Sequence, residues 1–122
     1  MKITLTNAQM LDSLSALAEA NEPGKLGYAI ARNRRRLQGE LTEYLAVREE
    51  LLKEYGTDKG GGQYGFTPES AEHFQRALEE YAKLETELEL MTVPTELFVN
   101  SGLTSRQMFV LDWMEEETHD GD

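Results

Sequence analysis

Between Pro23-Gly24 and Gly56 the chain carries no proline and sets apolar residues on alternating three- and four-residue steps. That stretch constrains the fold more than any other. Ile30, Leu37, Leu41, Tyr44, Leu51 and Tyr55 keep the rhythm, Arg34 and Arg48 fill its gaps, and Leu45 and Leu52 widen the stripe. A period near 3.6 held from about Leu26 to Tyr55 predicts a helix of about 45 Å at 1.5 Å per residue. The alternating step is also the seam of a coiled coil, so the helix needs an antiparallel neighbour. Glu49 and Lys53 add a favourable pair one turn apart. Gly39 stands against the pattern, since glycine inside a helix costs about 1 kcal/mol relative to alanine. A close backbone approach or a bend is expected there.

Start and stop signals place the other elements. Thr6-Asn7-Ala8-Gln9 has the form of a capping box, and Leu11, Leu14 and Leu17 continue it as a short helix that ends at Asn21-Glu22-Pro23-Gly24. Gly56 caps the long helix, and Thr57 to Phe66 reads as a flexible glycine-rich connection. Thr67-Pro68 opens a third helix with Thr67 as N-cap; Phe74, Leu78, Tyr81, Leu84, Leu88 and Met91 carry it to about Leu90. Thr92 to Val99 is β-branched and broken by Pro94, and is expected to be extended and to pair with residues 2–5. Thr104-Ser105-Arg106-Gln107 repeats the capping box and opens a last helix through Phe109, Val110, Trp113 and Met114. The expected architecture is mainly all-α. A long antiparallel helical hairpin is flanked by short N- and C-terminal helices with a minimal two-stranded β pairing, about 60–70% helix against a usual third. Residues 1–116 are expected to form a single helical domain, and 117–122 a disordered acidic tail.

Charge narrows the function. The net charge is −11, and it is split. Residues 1–38 hold six bases (Lys2, Lys25, Arg32, Arg34, Arg35, Arg36) against three acids (Asp12, Glu19, Glu22), a net of +3, which leaves −14 for the remainder. Phosphate repels most of such a molecule, so a general nucleic-acid coat is not expected and one basic face remains. Cysteine is absent, which excludes disulfides and thiolate metal sites. The opening Met1-Lys2-Ile3-Thr4-Leu5-Thr6 lacks the apolar core of a secretory leader, and no stretch reaches the roughly 20 apolar residues of a membrane span. Cytoplasmic residence without membrane contact is expected.

Few side chains have the spacing of a chemical site. In the glycine-rich loop Lys59 precedes Gly60, Gly61 and Gly62 and follows a helix, the reverse of a phosphate-binding loop. His73 has Glu69 one turn earlier and no second histidine on a facing helix, so no bundle metal site forms; His119 falls in the tail. Glutamates are abundant but face solvent by the helical pattern, and acid–base work needs a buried pair with separated pKa values. No catalytic, cofactor or metal residue is therefore assigned. The cluster Arg32-Asn33-Arg34-Arg35-Arg36 places Arg32, Arg35 and Arg36 on one helix face, and Arg36 pairs with Glu40 one turn on. Such forks suit a carboxylate or a phosphate. Phe109 and Trp113 stand one turn apart, either closing the core or anchoring a partner. Leu45 and Leu52 leave the long stripe wider than one partner helix covers, which points to a homodimer. There the basic start of the long helix would meet the acidic end of the third helix of a second copy.

The opening Leu5-Thr6-Asn7, the Pro23-Gly24-Lys25 stop, the arginine-rich helix start and the Leu51-Leu52-Lys53-Glu54-Tyr55-Gly56 ending, followed by a glycine-bearing loop and a second long helix, resemble a family of short proteins encoded in tailed phages and prophages of Gram-positive bacteria. The resemblance covers most of the chain. It implies phage origin and small size, and the family's function is unknown, so no catalytic residues carry over. The expected role is a non-enzymatic structural or assembly protein whose partner is a second copy or another phage protein. The alternative is a regulatory module that binds nucleic acid or a host protein through the Arg32–Arg36 face.

Overall fold

A computed structural model describes residues 2–116. Met1 and the acidic tail expected at 117–122 lie outside the described residues, as does His119. Of the described residues 64% are helical and 18% extended, a mainly-α chain with small sheets. Strand β1 (Lys2–Thr6) runs straight into α1 (Asn7–Glu19). The capping box at this junction is formed in both directions. The Gln9 N–H donates to Thr6 Oγ1 at 3.0 Å, and the Thr6 N–H donates to Gln9 Oε1 at 2.8 Å. Helix α2 (Gly24–Tyr55) spans 32 residues, about 48 Å.

Two glycines govern how α2 begins. Gly24 has a φ of +67°, in the left-handed region that glycine enters without steric cost. A Cβ on Gly27 would stand 1.9 Å from the Glu22 carbonyl oxygen, so the chain folds back onto the helix only over a bare backbone. The close approach expected at Gly39 is therefore at Gly27; around Gly39 there is open space.

Beyond Gly56 the chain forms an antiparallel hairpin where a flexible connection was expected. Strands β2 (Thr57–Gly60) and β3 (Gln63–Gly65) pair Thr57 with Gly65 and Asp58 with Tyr64. Gly60, Gly61 and Gly62 take φ values of +87°, +63° and +80°. Three successive left-handed residues need glycine, so the run that looked like a floppy linker is a turn sequence. The Gly60 N–H also donates to Asp58 Oδ1 at 2.7 Å.

Helix α3 (Pro68–Ala82) starts as expected at Thr67, with Ser70 as the reciprocal capping residue. It stops at Ala82 rather than near Leu90. Residues Glu85–Glu89 form β4, and their side chains alternate: Thr86 and Leu88 point inward, Glu85, Glu87 and Glu89 outward. Leu84, Leu88 and Met91 fit a helical step by coincidence, whereas Glu-Thr-Glu-Leu-Glu fits a period of two. Asn7 receives the end of α3, donating its N–H to the Leu84 carbonyl at 3.0 Å and its Nδ2 to the Tyr81 carbonyl at 2.8 Å. The strand partner of β1 is thus β4, in antiparallel register with Ile3 opposite Leu88 and Leu5 opposite Thr86. Residues 92–99 do not fill that place. Val93–Pro94 is a short β5, followed by α4 (Thr95–Val99), α5 (Ser105–Val110) and a 3₁₀ turn (Asp112–Met114). Pro94 has no N–H to donate, which confines it to a two-residue edge where β5 runs parallel to β6 (Glu115–Glu116). The last helix expected through Met114 accordingly breaks at Leu111.

The core lies at one end of the molecule. Met10 and Leu17 of α1, Leu37 and Leu41 of α2, Leu88 of β4, and Leu111 and Met114 near the C-terminus are fully buried. The buried positions of α2 run from Leu26 to Tyr44. From Leu45 through Glu87 no residue is buried.

The two interior glycines of α2 have opposite expected effects. Gly27→Ala forces a Cβ into a backbone carbonyl and lowers unfolding stability by about 1–3 kcal/mol. Gly39→Ala meets open space and raises stability by about 0.5–1 kcal/mol. Paired urea melts of the two variants check both signs.

Candidate functional site

The candidate residues fall on three separate surfaces. The first is the arginine face of α2. Arg32, Arg35 and Arg36 line one shallow recess with Gly39 and Glu40, and Arg34 lies outside it. Arg36 reaches Glu40 at 3.5 Å, as expected. The Arg32 guanidinium sits 5.8 Å over the Tyr28 ring and donates to its hydroxyl at 3.2 Å. Tyr28 is well exposed, so a cation and an aromatic face are presented together.

The residue that positions this face is inside it. Asn33 is buried at 1% exposure in the middle of the arginine cluster. Its Nδ2 donates to the Met91 carbonyl at 2.9 Å, and its Oδ1 accepts the Met91 N–H at 2.8 Å. The amide therefore occupies both backbone groups of one residue, as a neighbouring strand would, and turns the flanking arginines to solvent. Sequence reading passed over Asn33 because arginines surround it. The apolar rhythm gave the position between Ile30 and Leu37 to Arg34, but Arg34 is exposed and Asn33, three residues after Ile30 and four before Leu37, takes the core side.

The second surface is the distal arm, where α2 beyond Tyr44 meets α3. Leu45 is partly exposed, while Leu51, Leu52 and Tyr55 are half-buried. Phe74 and Leu78 of α3 are half-buried as well, and α3 buries no residue fully. His73 stacks on Tyr55 at 6.3 Å, and Phe66 meets Phe74 at 5.3 Å. An open groove of about 810 Å³ runs along the arm, with Ala71, Leu78 and Ala82 as its floor and Arg48, Glu72, Arg76 and Glu79 around it. Glu72 pairs with Arg76, and Glu79 with Lys83. Arg48 has no ion pair among the described residues.

The third surface is at the C-terminal end. The second capping box is formed, with the Gln107 N–H donating to Thr104 Oγ1 at 3.1 Å. The buried Gln107 side chain also donates to the Ala16 carbonyl of α1 at 3.3 Å. Trp113 is half-buried and donates its indole N–H to Ser13 Oγ at 3.0 Å. These bonds fix α5 on α1. Phe109 points away from the core at 83% exposure, so the two aromatics do not act together as a core cap.

Among the described residues no three His, Asp or Glu side chains cluster closely enough to hold a metal ion. No helix among them is long and apolar enough to cross a membrane. Comparison with protein-family models, with curated proteins and with solved structures returns no match.

Asn33→Ala removes both bonds to Met91 and leaves a buried N–H and carbonyl unmet. The expected loss is about 2–4 kcal/mol in chemical denaturation, with faster hydrogen exchange at the Met91 amide.

Proposed function

We propose that this chain is a non-enzymatic interaction protein, a structural or assembly accessory of a phage or prophage. It works in the host cytoplasm or on the virion and docks a second copy of itself through its distal arm. The observation that carries the reading is the run from Leu45 through Glu87. It holds Leu51, Leu52, Tyr55, Phe74 and Leu78, yet buries none of them. An amphipathic helix draws its stability from burying its apolar face, and a face half covered within its own chain is a docking surface. The resemblance to short phage and prophage proteins supports the setting.

Spacing and charge select a second copy as the occupant. Ala71, Gln75, Leu78 and Ala82 step by four, three and four along α3, a pattern that reads alike in both directions. An antiparallel copy sets Ala71 against Ala82 of the second chain and Gln75 against Leu78, with small residues at both ends for close approach. The groove edge carries both signs, Arg48 and Arg76 with Glu72 and Glu79, so a two-fold partner brings acids to the unpaired Arg48. Light scattering at tens of micromolar tests this. The expected mass is two chains, falling to one in Leu45→Glu plus Leu52→Glu and in Gln75→Arg, with helicity retained. A mass of one chain for the wild type at low and high salt removes the dimer.

A second reading rests on Arg32 stacked over the exposed Tyr28 beside Arg35 and Arg36. It makes α2 a contact for nucleic acid or for an acidic host protein. Gel-shift titration at two salt concentrations separates these, since binding to nucleic acid must weaken steeply with salt.

A further inference from the structure

We propose that the cleft between β1, α1 and the C-terminal turn holds the basic side chain, arginine or lysine, of a segment from a partner protein. The cleft has a volume of about 540 Å³ and is formed by Leu5, Gln9, Asp12, Ser13, Phe109, Val110, Asp112 and Trp113. It is distinct from the arm groove and from the arginine face, so the oligomeric state does not bear on it.

Its chemistry selects the ligand by elimination. The two charges in its lining are carboxylates, Asp12 and Asp112, and neither has an ion pair among the described residues. An anion is repelled. A neutral apolar group strips water from both carboxylates and returns nothing for it. A neutral polar group finds the Trp113 indole N–H already committed to Ser13 Oγ at 3.0 Å and leaves both carboxylates without a counter-charge. What remains is a cation on an apolar stem. The methylenes of arginine or lysine cover Leu5 and Val110, and the charged head reaches the carboxylates.

The aromatic rings complete the match. Phe109 is 83% exposed on a short helix that is itself anchored by Gln107 and by the Trp113–Ser13 bond. The neighbouring Leu111 and Met114 are both fully buried, so the turn is well packed and Phe109 is held outward by it. A phenyl ring in water beside two acids is a cation–π platform, and guanidinium is the head group that combines stacking with bidentate carboxylate pairing. The net charge of −11 raises the local concentration of basic segments around the cleft.

Trp113 is the one tryptophan in the chain and lines the cleft, so it reports occupancy directly. The probe is a capped pentapeptide, Gly-Leu-Arg-Leu-Gly, with its citrulline counterpart as the neutral isostere. The arginine peptide is expected to shift Trp113 emission and its indole N–H resonance saturably in the millimolar range or below, more weakly at higher salt. The citrulline peptide is expected to leave both unchanged. Asp12→Asn plus Asp112→Asn, which keeps the shape and removes the charge, and Phe109→Ala, an exposed position, are each expected to weaken binding roughly fivefold or more with the circular dichroism spectrum unaltered. Equal responses to the two peptides, undiminished affinity in the double asparagine variant, or no saturable shift at millimolar arginine peptide overturns the assignment.

Discussion

The bond pair between Asn33 and Met91 sets the frame for everything else. A buried amide is tolerated only when both of its ends are satisfied, and here one backbone residue satisfies both. Two directed bonds 58 residues apart in sequence fix the axial position of α2 against the segment that leaves β4. A purely apolar contact would allow a helix of 32 residues to slide by a turn at little cost, because leucines repeat along it. The amide does not repeat. With Asn33 placed, Leu37 and Leu41 face the core and Arg32, Arg35 and Arg36 face water.

That fixed position divides the molecule into a base and an arm. In the base, β1 and β4, α1, the first half of α2 and the C-terminal turns share one core. Small polar bonds bring the ends of the chain together there. Glu22 accepts the Gly102 N–H at 3.0 Å, Ser13 accepts from Trp113, and Gln107 donates to Ala16. In the arm, α3 and the glycine hairpin are what cover the second half of α2 among the described residues. One helix 15 residues long shields one side of its neighbour. The remainder is a face left half-covered within the chain, separate from the acidic aromatic cleft. The chain thus offers separate surfaces of different chemistry: apolar with mixed charge, basic with an aromatic, and acidic with aromatics.

Local chemistry was legible wherever a few adjacent residues decide the outcome. The three N-caps at Thr6, Thr67 and Thr104 are formed as the sequence implies, because a cap needs only a hydroxyl and the amides of the next turn. The span of α2 was legible for the same reason: proline and glycine bound it, and the apolar period persists between them. The end of α3 was not, since Leu84, Leu88 and Met91 satisfy a helical period while the intervening acids satisfy a strand. Asn7 arbitrates by occupying the carbonyls of Tyr81 and Leu84, and it lies 74 residues away from Tyr81. The glycine run misled in the opposite direction, since the residues that make a chain flexible are also those that a left-handed turn requires.

By itself the sequence determined the helical character, the caps, the glycine stops, the arginine face and the surplus of apolar side chains along α2. Each of these follows from the residues within a turn or two and from the backbone's own preferences. Only the tertiary structure decided which surplus is covered. Leu41 and Leu45 differ by a single turn on the same stripe, yet one is fully buried and the other partly exposed. Phe109 and Trp113 share another such spacing, and one stands in solvent while the other is tied to Ser13. Periodicity specifies that a side chain is apolar and on a face. Whether another element reaches that face depends on contacts between residues far apart in sequence, and here the Asn33–Met91 pair and the β1–β4 ladder set where those elements stop.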